Sequence, residues 1–204
     1  MKSAKKPSEV GNTLVEFALV IGVLVPLMLG TVNVGMNLSR SIQVTQISRD
    51  AGHMFARFVD FSLAGNQDLI VRLAYGLGMT RNGGNGKVTL TKIMFVGEME
   101  CAAGGLTLGE CTNYNQPVIV QRLVIGNAAL RTSTVGEPNS GLIDGQGNVA
   151  NYLTEVSARA TGFNNILALQ PGEFAYVAEA FFQSPEYDFP GFFEGTSAYA
   201  RTIF

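Results

Sequence analysis

Residue types that usually carry catalysis are scarce in this chain of 204 residues, which has one histidine, His53, and two cysteines, Cys101 and Cys111. A single histidine could serve at most one Ser-His-Asp or Cys-His site. His53 falls in a predicted helix, where we expect it to have a structural role. The cysteines are far from His53 in sequence, which argues against a metal site that they share with it. The acidic residues show no spacing that distinguishes a catalytic pair from ordinary solvent-exposed charges. We therefore predict a protein that is not an enzyme and has no cofactor and no metal.

The two cysteines flank a glycine-rich stretch, with nine residues between them. In an exported protein this spacing predicts a disulfide that closes a short loop, worth roughly 2–3 kcal/mol in the loop-entropy picture. In a reducing compartment the same two residues would be free thiols.

The N-terminal region contains an apolar stretch from Leu14 to Val32 whose only charge is Glu16. Lys2, Lys5 and Lys6 precede it, which predicts a cytoplasmic N terminus and a membrane-spanning helix. No Ala-x-Ala cleavage motif follows, unlike in a secretory signal peptide. A carboxylate inside hydrocarbon is costly, so Glu16 is a functional candidate.

The junction before this stretch is more specific, because Gly11 is followed by the residues NTLVEF. This resembles the prepilin-peptidase site of type IV pilins: a short basic leader ending in glycine, a glutamate at the fifth mature position, then an aromatic residue. The pair Glu16-Phe17, with small and apolar residues after it, resembles TadE-like proteins of tight-adherence (Tad) pili. Residues 174–204 are more loosely similar to that family, with Arg201 near the end of the chain.

The resemblance implies a leader of residues 1–11 and cleavage between Gly11 and Asn12. Glu16 lies four residues after Asn12, about 6 Å along a helix, where its carboxylate would pair with the new α-amine of its own or a neighbouring subunit. The alternative is a glutamate at headgroup level at the edge of a plain signal anchor. Pro26, inside the stretch, predicts a kink in the helix.

Two elements must position these residues: a long helix and a globular head. The helix is predicted over residues 12–60, transmembrane over 14–32 and amphipathic beyond. Residues 61–204 predict a head, so the fold class is α+β, with the helix packed on a small antiparallel sheet. The predicted apolar stripe of the helix comprises Leu38, Ile42, Ile47, Ala51, Met54, Phe55 and Phe58.

Within the head, alternating apolar residues predict strands over residues 87–96, 117–125, 174–183 and 196–204, the first two paired antiparallel around the cysteine loop. The glycine-rich residues 81–87 lack a phosphate-binding pattern and predict a turn. Residues 127–165 predict a long surface loop.

The head is also predicted to contain one further helix and an aromatic cluster. Asn66 is expected to cap a helix from Gln67 to about Leu77. Its expected apolar side is Leu69, Ile70, Leu73 and Leu77. The aromatic residues of the last loop predict either cover for the sheet or a contact patch on a partner subunit, and they are Tyr187, Phe189, Phe192 and Phe193.

The net charge of −2 gives no basic face for nucleic acid. With the resemblance, this predicts a minor pilin or pseudopilin of a Tad-type adhesion pilus. It would be single-pass in the bacterial inner membrane, head outside the cytoplasm, and at the cell surface after assembly. The implied partners are other pilin subunits, prepilin peptidase and an inner-membrane assembly platform. The alternatives are a signal-anchored periplasmic binding domain outside any filament, or a major pilin of an unusual filament.

Overall fold

The structure, a computed structural model, describes residues 9–184 and 196–204, with side chains from 13–183 and 197–204. The chain divides into two compact units, Met1–Arg40 and Ser41–Phe204. The architecture is α+β, as predicted, with an N-terminal helix and a small antiparallel sheet. The four aromatic residues predicted to cover the sheet or contact a partner lie outside the described residues.

Helix α1 spans Glu9–Ala56 and ends four residues before the predicted position at residue 60. The helix stops because Phe58 adopts a left-handed backbone conformation, with φ of 64°. The amide of Val59 donates to the carbonyl of Met54 at 3.1 Å, and the amide of Phe58 donates to that of Phe55 at 3.0 Å. These two bonds form a Schellman motif in which Phe58 takes the place where glycine is usual.

The main sheet has four antiparallel strands in the order β4-β3-β5-β6. Its strands are β3 (Gly86–Phe95), β4 (Pro117–Gly126), β5 (Phe174–Ser184) and β6 (Thr196–Ile203). All four predicted strands are therefore confirmed, with bounds that differ by at most one residue at each end. A bulge between Lys92 and Ile93 shifts the register of β3 against β4, so Ile93 pairs with Ile119.

One face of the sheet packs against the part of α1 that belongs to the second unit. The helix contributes residues spaced by three, four and four, Val44, Ile47, Ala51 and Phe55, all of them buried. Three members of the predicted stripe are wrong, because Leu38 is 62% exposed, Ile42 is 51% exposed and Phe58 is 80% exposed. The sheet contributes Val88, Leu90, Leu123, Ile125, Ala178, Ala180 and Phe182 to this core.

The other face of the sheet has a second core, which corrects the prediction that residues 127–165 are a surface loop. Ile93, Ile119 and Val177 on the sheet pack against buried residues of that segment. The segment has only three short 3-10 helices, Ser140–Leu142, Val156–Ala158 and Phe163–Asn165. Its apolar residues follow no helical or strand period. The buried ones are Val135, Val149, Ala158, Ala160 and Phe163.

The second helix of the head, α2, spans Ala64–Leu73 and corrects the predicted start and end. Asn66 lies inside it and donates its side-chain amide to the carbonyl of Asp60 at 2.7 Å, so it is not the cap. Of the predicted apolar side, Ile70 is buried, whereas Leu69 and Leu73 are more than 40% exposed.

The remaining elements lie beside the main sheet. Strands β1 (Met79–Thr80) and β2 (Gly83–Gly84) form a small hairpin in the glycine-rich segment predicted as a turn. A short helix, α3 (Glu98–Ala103), follows β3 and carries Cys101. Cys101 and Cys111 form a disulfide with a Cα–Cα distance of 5.8 Å, and both are buried in a cluster with Val118 at the beginning of β4.

Candidate processing and assembly segment

The residues of the predicted cleavage junction lie close together at the beginning of α1. Gly11 and Asn12 have helical backbone, and Glu16 and Phe17 follow within two turns of the same helix. Glu16 is exposed, and the ring of Phe17 is 64% exposed. The junction is therefore presented along one short helical segment, with its carboxylate one turn beyond Asn12.

The apolar stretch after the junction presents its side chains outward. By length and composition, the helix over Thr13–Ala56 can cross a membrane, and its most apolar part is not buried within the structure. Leu19, Val23 and Leu27 line one continuous apolar surface of this helix. An exposed apolar surface of this extent is costly in water, so it suits lipid or the helices of other subunits.

Two polar side chains near the end of this stretch, Thr31 and Asn37, form hydrogen bonds within the helix. The Thr31 hydroxyl donates to the carbonyl of Met28 at 2.8 Å, and the Asn37 amide donates to the side chain of Asn33 at 2.8 Å. Such internal bonds are what hydrocarbon requires. The helix is continuous on both sides of Pro26, and the kink there stays a prediction.

The head contains a buried carboxylate that the sequence analysis missed. Glu179, on β5, is 5% exposed and accepts from the Thr134 amide at 2.9 Å and the Thr134 hydroxyl at 2.6 Å. It also accepts from the hydroxyls of Tyr199, at 2.7 Å, and Ser133. These donors lie 20 to 46 residues away in sequence, so no local pattern indicates the cluster.

Two cations beside this carboxylate hold the segment after β4. Arg122, also 5% exposed, donates to Ser133 at 3.0 Å and to Thr91 at 3.3 Å. Lys87 donates to the carbonyls of Ala128, at 2.9 Å, and Arg131, at 2.6 Å. The cluster therefore fastens the start of the long segment to the sheet.

Burial and hydrogen bonding act in opposite directions on these groups. Burial alone raises the pKa of Glu179, but the bonds from Ser133, Thr134 and Tyr199 outweigh it and hold the pKa below its ordinary value. Burial lowers the pKa of Lys87 and that of Arg122. A cavity beside this cluster has a volume of about 10 Å³, which is room for about one water molecule.

His53 and the two cysteines have packing and covalent contacts within the head. The His53 ring packs against the ring of Phe204, with centroids 4.4 Å apart. Within residues 9–184 and 196–204, no three side chains of histidine, cysteine, aspartate or glutamate are arranged to hold a metal ion.

The comparison with known proteins bears on the N-terminal segment. The family model described as TadE-like protein matches residues 11–53. No curated protein and no solved structure matches the chain. The matched residues contain the junction at Gly11, the apolar stretch and most of α1, while residues 54–204 lie outside the match. The TadE-like family is structural and belongs to the Tad pilus system. Over residues 11–53, this chain is therefore similar to the TadE-like family, which confirms the resemblance found in the sequence.

Proposed function

We propose that this chain is a minor pilin or pseudopilin subunit of a Tad-type pilus. Prepilin peptidase would remove residues 1–11, and the mature subunit would join the filament or initiate its assembly. The observation that carries the proposal is the junction of Gly11 with the pair Glu16-Phe17, which lies inside the TadE-like match and opens an outward-facing apolar helix.

The apolar helix supports movement from lipid into a bundle of subunits. Its side chains from Leu14 to Val32 are largely exposed, so they contact lipid before assembly and other helices afterwards. The exchange costs little, because lipid chains and apolar side chains have similar polarity. Removal of the leader changes the net charge from −2 to −4, since it contains three lysines and one glutamate.

Glu16 would fix the position of each subunit's helix relative to its neighbours when the helix moves from lipid into the bundle. In the mature chain Asn12 would carry an α-amine at the positive end of the helix, and the carboxylate of Glu16 would pair with such an amine. In hydrocarbon an unpaired carboxylate is costly, so the paired arrangement is strongly preferred.

Mass spectrometry of the mature N terminus tests the processing step. A first residue at Asn12 is expected. An intact Met1, or a cut beyond Val32, would instead identify a signal-anchored protein outside any filament. Subunit abundance in sheared filaments separates a minor from a major pilin.

The substitution Glu16→Gln tests the assembly step, because it keeps the side-chain size and removes the charge. Membrane insertion should be unchanged, whereas incorporation into sheared filaments should fall by at least about tenfold, since an ion pair in a low dielectric is lost. Thr31→Ala, which removes a polar group from the same helix, is the control and should assemble normally. Normal incorporation of Glu16→Gln would refute the pairing.

A further inference from the structure

An open pocket lies on the face of the head sheet that packs against α1, beside the end of that helix. Its volume is about 130 Å³, and its walls include Phe55, Phe58, Asp60, Lys92 and Tyr176. A cavity of about 150 Å³ in another protein holds a benzene ring, so this pocket has room for one six-membered ring. Because the pocket is open, the rest of a larger ligand can project into solvent.

A polar row of the sheet forms one wall of this pocket. Lys92 pairs with Gln121 on β4 and with Tyr176 on β5, so the three side chains lie side by side on one face. The next row on the same face, centred on Leu90, is apolar and is buried in the core beneath α1. The bulge of β3 against β4 directly follows Lys92, and bulges are frequent beside functional sites. The sheet face therefore changes from apolar to hydrogen-bonding side chains where the helix stops covering it.

Three polar side chains of the pocket can form further hydrogen bonds. Asp60 accepts from the amide and the hydroxyl of Ser62 through one carboxylate oxygen, Oδ1, at 2.9 and 2.6 Å, and no described residue donates to Oδ2. Gln121 donates its amide to the carbonyl of Gln146 at 3.2 Å, and no described residue donates to its side-chain oxygen. Among the described residues, Lys92 has no carboxylate within salt-bridge distance. The pocket therefore offers two acceptors and one strong donor to a ligand.

Exposed aromatic rings lie beside these polar groups. Phe58 is largely exposed, meets Tyr176 edge-on with centroids 6.2 Å apart, and has a φ of 64°. A bulky residue in the left-handed region that gains so little burial is the kind of backbone outlier found at functional sites. Phe174, one row further along the sheet, is also exposed, and its ring centroid lies 4.2 Å from the Lys92 ammonium. The faces of such rings are electron-rich and attract the C–H groups of a ligand.

The charges of the pocket select a neutral ligand. The carboxylate of Asp60 and the ammonium of Lys92 have opposite signs, so an anion or a cation would meet one group of its own sign. Hydroxyl groups both donate and accept, so they can bond to either. A pyranose ring has hydroxyl groups at its edge and C–H groups on its faces. We propose that this pocket binds one neutral pyranose unit of a glycan, with its hydroxyl groups on Asp60, Gln121 and Lys92 and one ring face on Phe58.

Sugar binding is a property of the head and goes beyond the proposed function. All residues of the pocket belong to the second compact unit, Ser41–Phe204. Binding therefore requires neither cleavage after Gly11 nor assembly into a filament. A chain that fails to be processed should still bind sugar, and a chain that is processed normally can still fail to bind it, so the two proposals are tested separately.

The test measures binding of methyl pyranosides to the purified full chain by saturation-transfer NMR. The probes are the methyl glycosides of glucose, galactose, mannose and N-acetylglucosamine, and the detergent has a headgroup without sugar. At least one probe should bind, with a dissociation constant of roughly 1 mM, the scale for a ligand of this size. Failure of all of them to bind the original chain would overturn the proposal.

The substitution Asp60→Asn tests the hydrogen-bonding wall. The amide keeps the oxygen that accepts from Ser62 and replaces the second oxygen with a donor. Binding should weaken by at least about tenfold, because a hydrogen bond to a charged acceptor is lost. The matched control is Asp50→Asn, which removes an exposed carboxylate of α1 outside the pocket and should leave binding unchanged.

The substitution Phe58→Gly separates binding from folding. It should abolish binding while thermal unfolding shows a chain that is no less stable, because glycine suits the left-handed conformation. Free phenylalanine, a zwitterion with an aromatic ring, is the competing ligand. Equal binding of the sugar by the original chain, Asp60→Asn and Phe58→Gly, or tighter binding of phenylalanine than of every pyranoside, would overturn the proposal.

Discussion

The buried carboxylate of Glu179 offers a sharp test of how the head is held together. Glu179→Gln keeps the shape of the side chain and removes the charge that three residues, Ser133, Thr134 and Tyr199, stabilise by donation. The amide also replaces one acceptor oxygen with a donor, which then faces a hydroxyl already engaged by Arg122. A hydrogen bond to a charged group is worth about 1.5–3 kcal/mol, and part of each bond survives in the amide. We therefore expect the free energy of unfolding to fall by about 2–4 kcal/mol.

Urea unfolding of the full chain in detergent, with the disulfide intact, measures this change. Tyrosine fluorescence is a suitable signal, because the chain has no tryptophan and Tyr199 contacts the carboxylate directly. Glu98→Gln is the matched control, since Glu98 is exposed, and it should change the free energy of unfolding by less than about 0.5 kcal/mol. A loss for Glu179→Gln no larger than for this control would refute the reasoning.

The same residue predicts a pH dependence with a definite sign. The folded-state pKa of Glu179 lies below its ordinary value of 4.5, so the folded chain favours the carboxylate more than the unfolded chain does. The stabilisation is complete above the unfolded pKa and is lost as the pH falls through the folded pKa. Acid unfolding of the original chain should show this loss, and that of Glu179→Gln should show less of it.

Two further substitutions test packing and covalent restraint. Gly52→Ala should destabilise the head by about 1–3 kcal/mol, because its Cβ would overlap the Phe204 ring. Gly65→Ala, with open space at that position, should be neutral or stabilising, and thermal unfolding compares the two variants. Equal melting temperatures for the two variants would contradict the close contact. Replacement of Cys101 and Cys111 by alanine should cost about 3 kcal/mol by loop entropy, measured by urea unfolding, and an unchanged midpoint would show that the local fold alone restrains the loop.

The parts of the fold that the sequence predicted are those with local periodicity. The four strands were placed within two residues because alternation of apolar side chains persists along each of them. The predicted end of α1 was wrong because Phe58 adopts a left-handed backbone conformation, which its residue type does not indicate. Leu69 and Ile42 were predicted to be buried and are exposed. Periodicity predicts which side chains lie on one face of a helix, but it does not predict which of them another element covers.

The parts that could not be predicted depend on residues distant in sequence. Residues 127–165 form one wall of the second core with apolar side chains that follow no period, so their composition indicated a surface loop. Glu179 was unremarkable in sequence and became a buried anchor only because Thr134 and Tyr199 meet it in space.

The sequence by itself determined the family resemblance of the N-terminal segment, because its evidence is contiguous: three lysines before Gly11, the pair Glu16-Phe17 and an apolar stretch long enough to span a bilayer. These features depend only on the order of residues along the chain, so they can be recognised without the tertiary structure. Only the tertiary structure decided the head. The Glu179 cluster joins strands and a loop that are remote in sequence, and the fold brings them together through contacts that no local pattern specifies.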